Sequence, residues 1–296
     1  MTAVPTETKA AIRAPAPARP PAHRRTLVLE RGRADRRYWL DLWTYRELFA
    51  ILAWRDVAVR YKQTVVGVAW AALRPFLTMV IMTVVFHVVA KVKAPPGAPY
   101  AILVFAGLLP WTLFSTILSE ASGSLVANAN LVGKVYFPRI IIPASTALVA
   151  LVDFAVALAI LVAMMVWYRF VPSWRLLLIP GFVVLGVLAS LGPALFVTAL
   201  NVKYRDFRYI IPFIIQFGLY LAPVGYSSSV IPAAWRFWYS LIPVVGVIDG
   251  FRWCVLGGSS PLYLPGFFGS LAVVALLLVL GVAYFRRTER TFADLI

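Results

Sequence analysis

The chain has 296 residues, 61% of them hydrophobic and 14% charged, whereas an ordinary soluble domain carries about 25% charge. That composition excludes an ordinary soluble fold and fits an all-α polytopic membrane protein, with the net charge of +16 read as a basic excess on one side of the bilayer and not as a nucleic-acid surface. With one cysteine, Cys254, and two histidines far apart, His23 and His87, neither an intrachain disulfide nor a metal site is expected.

Residues 1–37 are rich in Ala, Pro and Arg and hold few large apolar side chains. Disorder is expected there, or a loose strand around Thr26–Leu29, with the arginines suited to anionic head groups. No stretch near the start has the length and flanks of a cleavable signal. Residues 38–72 form the next unit. Tyr38–Lys62 is too charged to span and reads as an amphipathic helix lying on the membrane. On a helical wheel Tyr45, Leu48, Phe49, Ile51 and Leu52 share one arc, while Trp54, Val57, Ala58 and Tyr61 fall opposite. A flat interfacial helix keeps one face, so a bend or a change of neighbours is expected near Ala53–Arg55.

Six segments within residues 73–285 are apolar enough to span: Leu73–Ala90, Tyr100–Leu118, Ile142–Tyr168, Leu176–Leu200, Ile210–Gly225 (a short one) and Phe267–Phe285. Within about 230–256, Trp238–Trp253 is apolar but broken by Pro243, Gly246 and Gly250. It reads as a re-entrant hairpin, a backbone tolerated at membrane depth only when shielded by protein or facing a cavity. Residues 286–296 form a tail. Of the 28 Lys and Arg, 22 fall in the region through Arg74, the second-to-third and fourth-to-fifth loops, and the C-tail. The positive-inside rule then puts both termini in the cytoplasm of a plasma-membrane protein.

Catalytic sets are missing from the pattern. There is no paired-carboxylate motif, and Gly133-Lys134 fails as a phosphate-binding loop because Asn128 stands where its first glycine belongs. The chain is expected to be no enzyme and to bind no cofactor; ATP-driven transport would need ATP and Mg in a separate subunit. Asp153, the sole acid within the six spans, sits about 20 Å along the third, near mid-bilayer. Two readings stand: a hydrogen-bonded or protonated structural aspartate, or the titrating group of a proton-coupled transporter. Arg55, Arg60, Lys62 and Arg74 crowd the mouth of the first span. They suit a phosphate head group, anionic lipid, or acids of a partner. Most Trp and Tyr mark span ends. Phe86, Trp111, Phe114, Phe213, Phe217, Tyr220 and Tyr226 stand where a pore could be, and there either sugar stacking or ordinary packing accounts for them.

Four stretches together resemble one family. They are Trp54–Phe76 ("WRDVAVRYKQTVVGVAWAALRPF"), Tyr100–Pro143 with its Gly-Lys…Phe-Pro-Arg run, Leu200–Tyr226 ("LNVKYRDFRYIIPFIIQFGLYLAPVGY") and Ile242–Trp253 ("IPVVGVIDGFRW"). The likeness, over about residues 40–290, is to the membrane subunit of ABC exporters for lipid-linked polysaccharides such as O-antigens, teichoic acids and galactans. It implies a homodimer paired with two ATPase subunits, a cytoplasmic interfacial helix, and a conduit lined by the first and fifth spans. It also implies a coupling helix at about 120–134, with Glu120, Asn128, Asn130 and Lys134 as docking candidates, and an extracellular hairpin. Family members often have Asn-Pro where this chain has Ile242-Pro243. The rival expectation is an ion- or proton-coupled secondary transporter acting alone, with Asp153 at its centre.

Overall fold

A computed structural model describes residues 34–62, 67–93, 96–204 and 206–292. The expected disorder through residue 33 and the strand at Thr26–Leu29 lie outside the described residues, as do 63–66 at the door of the first span, 94–95, Arg205 and the last four residues. Among the described residues there is no strand.

The helices are α1 (Ala34–Thr44), α2 (Arg46–Lys62), α3 (Gly67–Thr83, continued by a π-helical turn, Val84–Val89), α4 (Tyr100–Ala127) and α5 (Ala129–Lys134). They continue with α6 (Ile141–Trp167), α7 (Ile179–Lys203), α8 (Phe207–Leu221), α9 (Ala233–Ser240), α10 (Pro243–Leu256) and α11 (Leu264–Thr288). Prolines open α7, α10 and α11, where the missing N–H costs nothing. Five stretches are long and apolar enough to cross a membrane: Ala69–Val89, Tyr100–Ala127, Ile141–Trp167, Trp174–Lys203 and Leu264–Thr291. The fifth expected span, Ile210–Gly225, is shorter than the rest. The 15 residues of α8 reach about 22 Å, against the roughly 30 Å of hydrocarbon. Pro223 follows closely on its C-terminal end. Helices α9 and α10 meet at 105°, and Pro243 stands at their junction.

Helix α4 is the axis of the bundle. It is buried without interruption from Tyr100 to Trp111 and again at Ile117, Ala121 and Leu125. Around it pack α3, α6, α7 and α10. Between two membrane helices, van der Waals fit and hydrogen bonds replace the hydrophobic drive, so small residues set the closest crossings. Helices α7 and α11 touch backbone to backbone, and a Cβ on Gly281 would overlap the Gly192 carbonyl. Helices α4 and α7 are tied near one end by Thr198 Oγ1, which donates to Ala121 O at 2.9 Å, and Asn201 Nδ2, which donates to Ser122 O at 2.8 Å.

That same end carries a second core, in which Leu52 packs with Leu125, Val132, Phe137, Ile141, Phe285 and Phe292. Tyr45, Leu48 and Phe49 lean on it, as the wheel arc anticipates. Ile51 does not; it is 64% exposed. Helix α2 runs unbroken through Ala53–Arg55, and its neighbours change along it: Leu52 packs in the second core, while Arg60 further on pairs with α4 and α6. The irregularity is at Tyr45, where helical hydrogen bonds still run from Tyr45 N to Asp41 O and from Phe49 N to Tyr45 O. Trp39 and Trp43 of α1 and Trp54 of α2 stand exposed. Residues 67–72, expected in the interfacial unit, belong to α3.

Candidate functional site

Helix α2 runs along α6, and this brings its charges onto groups of α4 and α6. Arg55 Nη2 donates to Asp56 Oδ1 at 2.7 Å and to Asn128 Oδ1 at 3.0 Å. Asn128 ends α4, its own Nδ2 donating to Ser124 O at 2.9 Å. Arg60 reaches two carboxylates: Nη2 to Asp153 at 2.8 Å and Nη1 to Glu120 at 3.4 Å. The Tyr61 hydroxyl donates to the other oxygen of Asp153. Burial, and then that carboxylate, push the Tyr61 phenol above its ordinary range, so it stays a donor.

These contacts change the reading of Asp153. It is not an acid without a basic partner: α2 supplies both an ion pair and a hydrogen bond. Arg60 ties Glu120 of α4 and Asp153 of α6 to one level of the bundle, and Asp153 lies within the candidate span Ile141–Trp167.

The expected coupling helix at about 120–134 is in two parts. Residues 120–127 continue α4, and only Ala129–Lys134 form a separate helix, α5. The break costs little because Asn128 N–H still reaches Ser124 O and Leu125 O. Asn130 and Lys134 are exposed on α5, followed by exposed Val135 and Tyr136. Lys62 and Arg74 are also exposed, Arg74 already inside α3 ahead of Pro75.

Glu289, in the short turn after α11, holds this end together. Its carboxylate accepts from Tyr38 Oη at 3.0 Å and from the Arg139 N–H at 2.6 Å. The Arg286 guanidinium lies 4.6 Å over the Tyr38 ring. Burial first, then Glu289, raise the Tyr38 phenol above its usual range. Sequence reasoning passed over Glu289, whose partners lie 150 and 251 residues away.

The structure divides the aromatic set. Phe213, Phe217 and Tyr220 lie on a bare face of α8, 54–59% exposed, with the two Phe rings 4.3 Å apart. Only Ile211 of that helix is buried. Phe86 and Tyr226 are instead packed at the opposite end of the bundle from the termini. Phe86, on the π-helical turn, covers Gly225 and lies 6.0 Å from the Tyr226 ring. The Tyr226 hydroxyl donates to Leu221 O at 2.9 Å and meets Tyr239 Oη at 3.1 Å. Trp111, 6% exposed, seats against Gly218, and Phe114 lies beside it.

Arg252 is 0% exposed. From α10 it donates Nε to Leu103 O at 3.1 Å, Nη1 to Tyr226 O at 2.7 Å and Nη2 to Val224 O at 2.5 Å. One turn before it, Asp249 accepts from Ser228 Oγ at 2.5 Å. The signal was present: an acid and an arginine three apart in an apolar stretch.

A helical bundle with five long apolar helices and an extra charged helix strapped to its basic end is an all-α polytopic membrane protein. Residues 47–256 match the model of the ABC-2 type transporter family, and the chain belongs to that family. It is 27% identical over 257 residues to the O-antigen export system permease protein RfbA of Klebsiella pneumoniae, covering 84% of this chain and 95% of that protein. It is 28% identical over 214 residues to the RfbA permease of Myxococcus xanthus (72% and 81%), and 23% identical over 220 residues to the polysialic acid transport protein KpsM of Escherichia coli (69% and 79%).

Proposed function

We propose that this chain is the membrane subunit of an exporter that moves a lipid-diphosphate-linked polysaccharide across the plasma membrane, as a homodimer driven by two separate ATPase subunits. The observation that carries the reading is the bare aromatic face of α8. Phe213, Phe217 and Tyr220 present ring faces that stack on sugar C–H faces, and a second copy would close the other wall. The names of the relatives, O-antigen and polysialic acid export proteins, support a glycan cargo.

The basic end, with both termini, faces the cytoplasm in this reading. There α5 and the exposed Val135 and Tyr136 offer a docking surface for the ATPase. Arg55 and Arg60 are held by Asn128, Asp56, Glu120 and Asp153. Lys62 and Arg74 are therefore the cations open to a diphosphate or to anionic lipid head groups. The ion pair of Asp153 with Arg60 and its hydrogen bond from Tyr61 support the structural reading of that acid.

The test is expression of the tagged chain with an ATPase from the same genome. Co-purification of the two, and loss of surface polysaccharide when the permease gene is deleted, are expected. Transport by the chain alone in liposomes would overturn the reading.

A further inference from the structure

Resting on the export reading, we infer that Arg60 is the positioning residue that carries motion of the ATPase-facing arm into the second and third spans. Two observations converge on it. First, Arg60 is the one side chain of α2 with ion pairs to two different membrane helices, α4 through Glu120 at 3.4 Å and α6 through Asp153 at 2.8 Å. Second, α2 holds the arm at its other contact, since Arg55 bonds Asn128 at the joint between α4 and α5. The path from α5 therefore runs through Asn128 and Arg55 into α2, and leaves it through Arg60 to Glu120 and Asp153.

The two carboxylates are unequal. Asp153 is 19% exposed and also takes the Tyr61 hydroxyl, while Glu120 is 51% exposed and holds Arg60 at the longer distance. The Asp153 arm is the hinge pin, and the Glu120 arm is the one that yields when α4 and α2 move apart. An exposed pair of that length contributes little to stability, which suits a contact that must open in each cycle. The half-buried Asp153 pair is the opposite case. Removing Arg60 leaves the Asp153 carboxylate with the Tyr61 hydroxyl but without its counter-charge.

The experiment uses the full permease with its ATPase in membranes, compared with Arg60→Ala, Arg60→Lys, Glu120→Gln and the exchanged pair Arg60→Asp with Asp153→Arg. Three quantities are read: assembly of the complex, hydrolysis of MgATP, and polysaccharide reaching the surface of a permease-deleted strain. Arg60→Ala is expected to assemble and hydrolyse ATP while surface polysaccharide falls about tenfold, the scale of a lost coupling contact. Arg60→Lys and the exchanged pair are expected to recover part of the loss, and Glu120→Gln to change export with assembly intact. Export by Arg60→Ala at the wild-type level overturns the inference. So does an Arg60→Ala chain that fails to assemble and is not rescued by the exchanged pair, because Arg60 is then merely structural. A wild-type chain that neither binds the ATPase nor restores surface polysaccharide overturns the export reading itself, and with it this inference.

Discussion

Arg252 occupies the space that any side chain at Gly107 would need. A Cβ built on Gly107 overlaps the Arg252 guanidinium, which lies across α4 to reach carbonyls on both sides. Glycine is thus required here for the close approach and not for backbone freedom. Gly107→Ala is expected to expel the guanidinium and leave three carbonyls without their donor. Arg252→Leu removes the same donors directly. Each buried unsatisfied group costs about 1–3 kcal/mol, so both variants should lower the melting temperature of the detergent-solubilised protein. Unchanged melting of Arg252→Leu would show that the three bonds contribute nothing.

Phe86 and Gly225 form a knob and socket. A Cβ on Gly225 overlaps the Phe86 ring, so Gly225→Ala is expected to destabilise by about 1–3 kcal/mol through overpacking. Truncation to Phe86→Ala creates room, and the double variant should regain part of that loss. A double-mutant cycle in thermal unfolding measures the coupling, and strictly additive effects would refute the contact.

Phe213, Phe217 and Tyr220 separate stability from function. All three are exposed, and exposed substitutions usually change stability by about 0.5 kcal/mol or less. Replacing all three with Ala should leave the yield of folded protein nearly unchanged while surface polysaccharide drops. Loss of folded protein would mean that this face packs against something within the chain or its dimer.

Glu289→Ala should free α1. It removes the acceptor of both Tyr38 Oη and the Arg139 N–H, and the backbone N–H is then buried without a partner. Faster hydrogen exchange over Tyr38–Phe49, with little change in α4 or α10, is the expected signature. Uniform change throughout the bundle would place the role of Glu289 elsewhere.

The long apolar runs made most of the bundle legible from sequence, because bilayer thickness turns helix length into a direct count of residues. Pro243 likewise marked the corner between α9 and α10. What sequence could not show were contacts between distant segments. Asp153 looked unpaired because the search for a cation was confined to the spans, and Arg60 comes from a helix outside them. The two apolar faces of α2 mark a change of neighbours along one unbroken helix, which the wheel alone does not separate from a bend. Nothing in "SEASGSLVANAN" announces that the helix of the second span continues to Ala127.

The bonds at Glu289 bear on the order in which the molecule is made. Tyr38 leaves the ribosome 251 residues ahead of the carboxylate it binds. Leu52 shares its core with Phe285 and Phe292. Contacts at that sequence separation must wait for the intervening chain to be ordered. The basic end of the bundle therefore closes only after Glu289 has been made, and a chain cut before it lacks the acceptor that holds Tyr38 and the Arg139 N–H.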